Sequence, residues 1–532
     1  MLPSMMPLAT VALLFAFLLS NFLTPLMRRV AVRYGFIDKP DGQRKIQSNA
    51  VALGGGLVLI AITPLVVVLM AFAVGEEIWS TLRESKNGLN PAWGILGLTI
   101  AIGILAVVGV IDDARGMRGS YKLFWQFVAV MFVAFTGLSV PAVIFMGVRI
   151  PLGPIGNIVS VCWLLAAINS FNLIDGIDGL AGSVGVVFAI TFGTMAIVFG
   201  QLFDAIMAFA LAGALLGFLR FNYSPAVIYL GDTGSMFIGL MLGAIALRCS
   251  MKEAATVAFS APLAIWSIPI LDSLAAIIRR KLTGKSIYAT DRGHLHHVLL
   301  TKGLGTGQTV AMIAGLCAIT CLAAVSSIIL ENDWIGPLVV FALISLLVFT
   351  RMFGYSEFVL VSAKMLGLGR LIKRGKTPST EGHQTTLALQ GERQWEELWG
   401  ALIESAERFH LVKMRLNISL PRLHEEFYAA WQRPGKHPRE SVWTTDIPLI
   451  VKNMPVGRLQ VAGLQNEASA SSEMSQFIDF VESLEVQLAT IIAEEFARQG
   501  KSLPGSAAVE LTSTTPEHDE VDSVAVTENE CR

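Results

Sequence analysis

The sequence predicts an all-α polytopic membrane protein of about 11 transmembrane helices, followed by a small α+β soluble domain. Three observations carry this. Hydrophobic residues make up 53% of the 532-residue chain and charged residues only 15%. Apolar blocks near the roughly 20 residues that cross a bilayer core recur up to Thr350. Beyond that point charge becomes frequent, and the shift marks the main boundary of the chain.

The blocks fall at about 8–27, 51–74, 92–111, 123–141, 155–171, 180–200, 203–220, 234–250, 254–278, 307–329 and 335–352. The first has spanning length and no basic flank before it, so a retained helix is expected rather than a cleaved signal peptide. Pro262 and Pro269 predict a kink or break in the block 254–278. Alternate loops form two sets. Segments 28–50, 112–122, 172–179, 221–233 and 279–306, with the boundary Arg220, hold sixteen Lys and Arg. The other set, 75–91, 142–154, 201–202, 251–253 and 330–334 with the boundary Arg248, holds five. The positive-inside rule places the first set in the cytoplasm, the N-terminus outside and the C-terminal domain inside. A net charge of −1 excludes nucleic-acid binding through bulk charge. Cys162, Cys249, Cys317 and Cys321 lie within apolar blocks, as buried small residues do, and suggest no disulfide framework.

Polar residues that a membrane domain should avoid collect on the cytoplasmic side. Asp112-Asp113 ends the third block and is followed by Arg115, Arg118 and Lys122. Adjacent carboxylates repel, and a divalent cation would offset them; acid for a metal beside base for a phosphate suits a magnesium–diphosphate site, while a charged turn explains the pair equally well. Asn172, Asp175 and Asp178 recur at three-residue spacing, which in a helix puts them on one face. Gly231-Asp232-Thr233-Gly234-Ser235 opens a span with a carboxylate, two hydroxyls and backbone amides, a natural place for phosphate oxygens or a metal they share. The last cytoplasmic loop carries Arg279, Arg280, Lys281, Asp291, Arg292, His294, His296 and His297. A basic loop obeying the positive-inside rule accounts for the Arg and Lys but not for the histidines. Their spacing is poor for zinc, and beside magnesium the imidazoles stay free to hold phosphate or uridine.

The ordered set Gly54-Gly55-Gly56, Asp112-Asp113, Asn172 to Gly182, Gly231 to Ser235 and Gly293 to His297 resembles the polyprenyl-phosphate N-acetylhexosamine-1-phosphate transferase superfamily, over roughly residues 8–352. The bacterial phospho-MurNAc-pentapeptide translocase and the enzymes that start O-antigen and teichoic acid belong to it. The resemblance implies ten or eleven helices around a cytoplasm-facing active-site cleft in the bacterial inner membrane. It also implies magnesium dependence, with manganese as the substitute ion, and release of UMP as a cell-envelope glycan is started. Carried over, Asp112 and Asp113 match the paired aspartates of the catalytic centre and Asp232 the aspartate assigned to magnesium, with the pair as further metal organisers. Asn172 and Asp175 match the polar cluster near the nucleotide, with Asp178 a further substrate-binding candidate, Lys122 resembles a phosphate-binding base, and His294, His296 and His297 match the histidine motif. Arg279, Arg280 and Arg292 are expected to draw phosphate groups. The loop Asp291-Arg292-Gly293-His294-Leu295-His296-His297 resembles the branch that uses simple UDP-N-acetylhexosamines, which makes UDP-N-acetylglucosamine the expected donor and undecaprenyl phosphate the acceptor. A transporter is the rival class; it predicts midplane polar residues and an internal repeat, neither of which the sequence displays.

The expected domains are a membrane domain at 1–355, a basic linker at 356–385, an α+β domain at 386–500 and a disordered acidic tail at 501–532. In the third, Trp395, Leu398, Trp399, Leu402, Ala406 and Phe409 mark an amphipathic helix, and 412–420, 441–451 and 456–464 read as strands. Phe477, Val481, Leu484, Leu488 and Ile491 mark a second helix. A regulatory partner for this domain and a homodimer are the expected protein partners.

Overall fold

A computed structural model of the chain describes residues 2–38, 50–75, 91–140, 142–145, 148–251, 260–283, 293–355, 357–359 and 361–362. Further along it describes 383–390, 395–409, 411–420, 425–433, 442–451, 454–464 and short stretches between 477 and 493. Internal contacts divide the chain into two units, Met1–Gly375 and Lys376–Arg532.

Each predicted apolar block forms a helix over most of its described length, with the ends of several blocks in turns and Val51–Ala52 in a short strand. In order the helices are α1 (Leu2–Arg33), α2 (Gly55–Val74), α3 (Pro91–Arg115), α4 (Gly119–Phe135), α5 (Ile155–Ile174), α6 (Leu180–Val198), α7 (Leu202–Asn222) and α8 (Gly231–Met251). The ninth block forms α9 (Ser260–Ile265) and α10 (Ser267–Thr283). After a short α11 (Leu295–Thr301) come α12 (Thr306–Ile329) and α13 (Ile335–Phe349). Among the described residues, eight helices are long and apolar enough to cross a membrane, with α4 and α13 shorter apolar helices. The protein is thus a multi-pass membrane protein with a small soluble unit.

The expected kink in the ninth block is a break at Trp266, between α9 and α10. Pro269 falls in the first turn of α10, where its missing N–H costs no helical bond. The Ser267 hydroxyl donates to the Ala264 carbonyl at 2.7 Å. Trp266 is fully buried, with its ring edge-on to Phe171 at 5.2 Å and Phe188 at 5.5 Å. The break is therefore fixed by packing.

Helix α8 is central and almost wholly buried, and it packs against α2, α3 and α5. Its entry is tied to the start of α2: Tyr229 donates its N–H to the Ala52 carbonyl, Gly55 to Tyr229 and Gly56 to Leu230, at 2.8–3.0 Å. The Gly54–Gly56 run thereby holds the segment leading into Asp232. Two short ribbons complete this unit, β1 (Ile37–Asp38) with β2 (Val51–Ala52) and β3 (Ala142–Phe145) with β4 (Val148–Pro151).

The second unit holds an antiparallel sheet of β5 (His383–Gln390), β6 (Leu411–Leu420), β7 (Glu425–Gln432), β8 (Val442–Val451) and β9 (Met454–Leu464), ordered β5-β7-β6-β9-β8. Helix α14 (Glu396–Arg408) packs Leu398, Trp399 and Leu402 onto Met414, Leu416 and Ile418 of β6. Phe477, Val481, Leu488 and Ile492 join the same core; Leu484 and Ile491 lie outside the described residues. Strands β5 and β7 were not expected. β5 begins inside the stretch expected to be a linker, and β7 carries Ala429-Ala430 and paired glutamates in place of clear alternation.

Candidate active site

Adjacent side chains on a helix point about 100° apart, so the last turn of α3 sends Asp112 and Asp113 to different partners. Asp113 turns to the start of α8. Its Oδ1 accepts the Asp232 N–H at 2.7 Å, and its Oδ2 accepts the Thr233 N–H at 3.2 Å and the Thr233 hydroxyl at 2.7 Å. It thus caps α8 from another helix, satisfying amides that would otherwise lack partners. Gly231 sits at φ 73°, and a side chain there would collide with the Asp113 carboxylate. The sequence offered this segment to phosphate oxygens or a metal they share; in the structure the Asp232 and Thr233 amides and the Thr233 hydroxyl are taken up by the Asp113 carboxylate.

Asp112 turns the other way. Its Oδ1 accepts the Met117 N–H at 2.7 Å, and its Oδ2 pairs with Lys122 Nζ at 2.9 Å. The Lys122 side chain, 13% exposed, also meets Asp232 Oδ1 at 2.8 Å and donates to Asn172 Oδ1 at 3.0 Å. Asn172 Nδ2 donates to Asp232 Oδ1 and to Ser235 Oγ. Residues from α3, α4, α5 and α8 thus meet around one ammonium group.

Helix α5 ends at Ile174, so Asn172, Asp175 and Asp178 do not share a helical face as their spacing suggested. Asp175 is the C-cap, and a turn reaches Gly179 at φ 77° before α6 begins. Asp178 Oδ2 accepts the Ala226 N–H at 3.0 Å. Asp175 and Asp178 both line an open cavity of ≈ 770 Å³, with Asp112, Asp113, Asp232 and His297. Burial first, then the charges of Asp232, Asp113 and Asp178, hold the Asp175 carboxyl well above the usual carboxylate range. Tyr229, also on the wall, is pushed up to about 12 by burial and by Asp178 and Asp38.

The histidines are arranged in series. His294 is 4% exposed, and its Nδ1 lies 3.0 Å from Asp272 Oδ2. The His296 ring stacks parallel on His294 with centroids 5.9 Å apart, and His297 lies 4.3 Å further along. Of the three, His297 lines the cavity. His296 presses on Gly176, where a methyl group would overlap its ring, and among the described residues neither of its nitrogens has a hydrogen-bond partner. Burial first, then His297 and His294, holds its pKa well below the ordinary 6.5.

The basic loop residues are placed differently from expectation. Arg279 and Arg280 are buried, and Arg279 is paired with Glu357, which also lies buried. They do not line the cavity. A buried guanidinium needs a carboxylate partner, and Glu357 supplies it from beyond α13. Arg292 lies outside the described residues.

Sequence reading passed over Asn222, which lines the cavity, accepts the Gly179 N–H at 3.2 Å and donates to the Ile228 carbonyl at 3.0 Å. It also passed over Asp272 and Glu357. A lone ionisable residue inside an apolar helix is the signal that could have found Asp272.

Asp38, Asp112, Asp113, Asp175, Asp178 and Asp232 line this cavity, and oxygen donors of this kind suit magnesium or manganese. Among the described residues, no three His, Cys, Asp or Glu side chains form a ready metal cage. Magnesium does not need one, since one or two carboxylates with substrate phosphates and water complete its shell.

Fold and site together define a polytopic membrane protein whose acidic cavity is assembled from helix ends at one end of its bundle. The sequence profile of glycosyl transferase family 4 matches residues 95–250. The decaprenyl-phosphate N-acetylglucosaminephosphotransferase of Mycolicibacterium smegmatis is 30% identical over 357 residues, covering 61% of this chain and 84% of that protein. The probable undecaprenyl-phosphate N-acetylglucosaminyl 1-phosphate transferase of Bacillus subtilis is 29% identical over 348 residues, covering 65% of this chain and 91% of the relative. The undecaprenyl-phosphate alpha-N-acetylglucosaminyl 1-phosphate transferase of Yersinia pestis is 30% identical over 323 residues, covering 59% and 82%. The chain belongs to glycosyl transferase family 4, the polyprenyl-phosphate N-acetylhexosamine-1-phosphate transferases that its motifs resemble.

Proposed function

We propose that this protein transfers N-acetylglucosamine 1-phosphate from UDP-N-acetylglucosamine to undecaprenyl phosphate at the cytoplasmic face, releasing UMP. The observation that carries the proposal is the meeting of Lys122 and Asn172 with Asp112 and Asp232, two of the carboxylates that line the cavity. The names of the relatives supply the acceptor class and the transferred group. The cavity volume falls within the range of small-molecule sites.

In this reading the acceptor phosphate attacks the β-phosphorus of the UDP-sugar in line, the bond from that phosphorus to the bridging oxygen breaks, and UMP departs. A phosphate monoester has a second pKa of about 6 and is largely a dianion at neutral pH, so a general base contributes little. Magnesium, held by Asp232 and Asp112, would neutralise the donor diphosphate when bound. Lys122 orients phosphate oxygens from between the two carboxylates, and Asn172 holds Asp232 in place. Asp113 acts by fixing the N-terminus of α8, which sets where Asp232 stands. Asp175 and Asp178 flank the nucleotide, and His297 lines the same wall.

The donor is tested with radiolabelled UDP-N-acetylglucosamine, UDP-N-acetylgalactosamine and UDP-MurNAc-pentapeptide, each given with undecaprenyl phosphate. Label from UDP-N-acetylglucosamine should enter the lipid phase in preference to the others. Preferential use of another donor would overturn the assignment of the sugar.

A further inference from the structure

We infer that Asp272 is a positioning residue that sets the ring orientation of the histidine motif from a helix remote in sequence. The inference rests on the transferase reading and extends it to a side chain that does not itself line the cavity.

Asp272 lies on α10, just beyond the break at Trp266, and is 3% exposed. A carboxylate taken this far from water needs donors. Both of its oxygens find them on the histidine loop: Oδ1 accepts the Leu295 N–H at 2.9 Å, and Oδ2 faces His294 Nδ1 at 3.0 Å. Leu295 is the first residue of α11, whose N-cap, His294, makes no side-chain cap of its own. One carboxylate therefore caps α11 and orients the ring that precedes it.

The chemistry of the contact fixes one proton. An ionised carboxylate accepts and cannot donate, so in this contact Nδ1 carries a proton. The orientation is passed on by packing. The His294 ring lies parallel to His296, His296 fills the space left by the missing side chain at Gly176, and His297 follows into the cavity wall. Rotating His294 would disturb both the donor-side loop at Gly176 and the ring facing the cavity.

Capping alone and ring orientation make different predictions. Asp272→Asn keeps an oxygen for Leu295 but offers an N–H to Nδ1, favouring the wrong tautomer. If Asp272 works through His294, this change matters only while the ring is present. The experiment is a double-mutant cycle on purified full-length protein, with UDP-N-acetylglucosamine and undecaprenyl phosphate as substrates and kcat/KM for the donor as readout. Asp272→Asn should lower kcat/KM by about tenfold or more in the parent and by less than about threefold in the His294→Gln background. Any other combination in an active parent overturns this inference alone. Parent protein that releases no UMP overturns the transferase reading, and this inference with it. If Asp272→Asn is not monodisperse, Asp272→Glu, which keeps the charge on a longer arm, takes its place with the same thresholds.

Discussion

Asp112 and Asp113 are neighbours that do different work. Asp113 is spent on three donors at the start of α8, whereas Asp112 shares Lys122 with Asp232. Asp112→Asn and Asp232→Asn should each lower kcat by about 10²-fold or more, since each removes charge where phosphate charge redistributes; steady-state UMP release measures this. Asp113→Ala should instead lower stability by about 1–2 kcal/mol through the lost cap, together with activity; thermal unfolding in detergent separates it from the other two. His296 adds a pH dependence. Its folded pKa lies below the ordinary 6.5, so the unfolded chain takes up the proton first. The stability its neutral form allows is present above about pH 6.5 and is lost as pH falls through that window. The thermal midpoint should therefore drop between about pH 8 and pH 5.5, and drop less in His296→Phe. The reactive aspartates were legible in the sequence because charge at a membrane helix end stands out. Asp272 and Glu357 were not, because their partners His294 and Arg279 lie in other elements and only folding brings them together.

At the scale of elements, hydropathy placed all the apolar helices and the two prolines placed the break at Trp266. Local spacing misled at the end of α5. Asn172, Asp175 and Asp178 would share a face in a continued helix, but the chain turns at Gly176 and Gly179 and sends Asp178 to the Ala226 amide. Gly176 has a packing reason as well, since the buried His296 ring occupies the place of its side chain. Gly176→Ala should cost about 1–3 kcal/mol from overpacking and displace the loop that carries Asp175 and Asp178. The expected result is a lower thermal midpoint with a raised KM for the donor. An unchanged KM would show that this turn does not shape the nucleotide side of the cavity. In the second unit, alternation revealed β6, β8 and β9, whereas β5 and β7 are set by pairing with neighbours that the local pattern does not encode.

For the whole molecule, every residue assigned to the reaction lies in the unit Met1–Gly375. The soluble unit has its own core around Trp399, Leu416 and Phe427. A chain ended after Gly375 should keep transferase activity within roughly threefold of the parent, as independent domains do; a complete loss would place part of the active machinery in the soluble unit. The measurement that tests the central claim most directly is UMP release by purified full-length protein given UDP-N-acetylglucosamine and magnesium, with and without undecaprenyl phosphate, beside Asp232→Asn. The account predicts release that requires the lipid, stops on chelation of the metal and is lost in the variant. Release that is indifferent to the lipid, or that survives in Asp232→Asn, would contradict it.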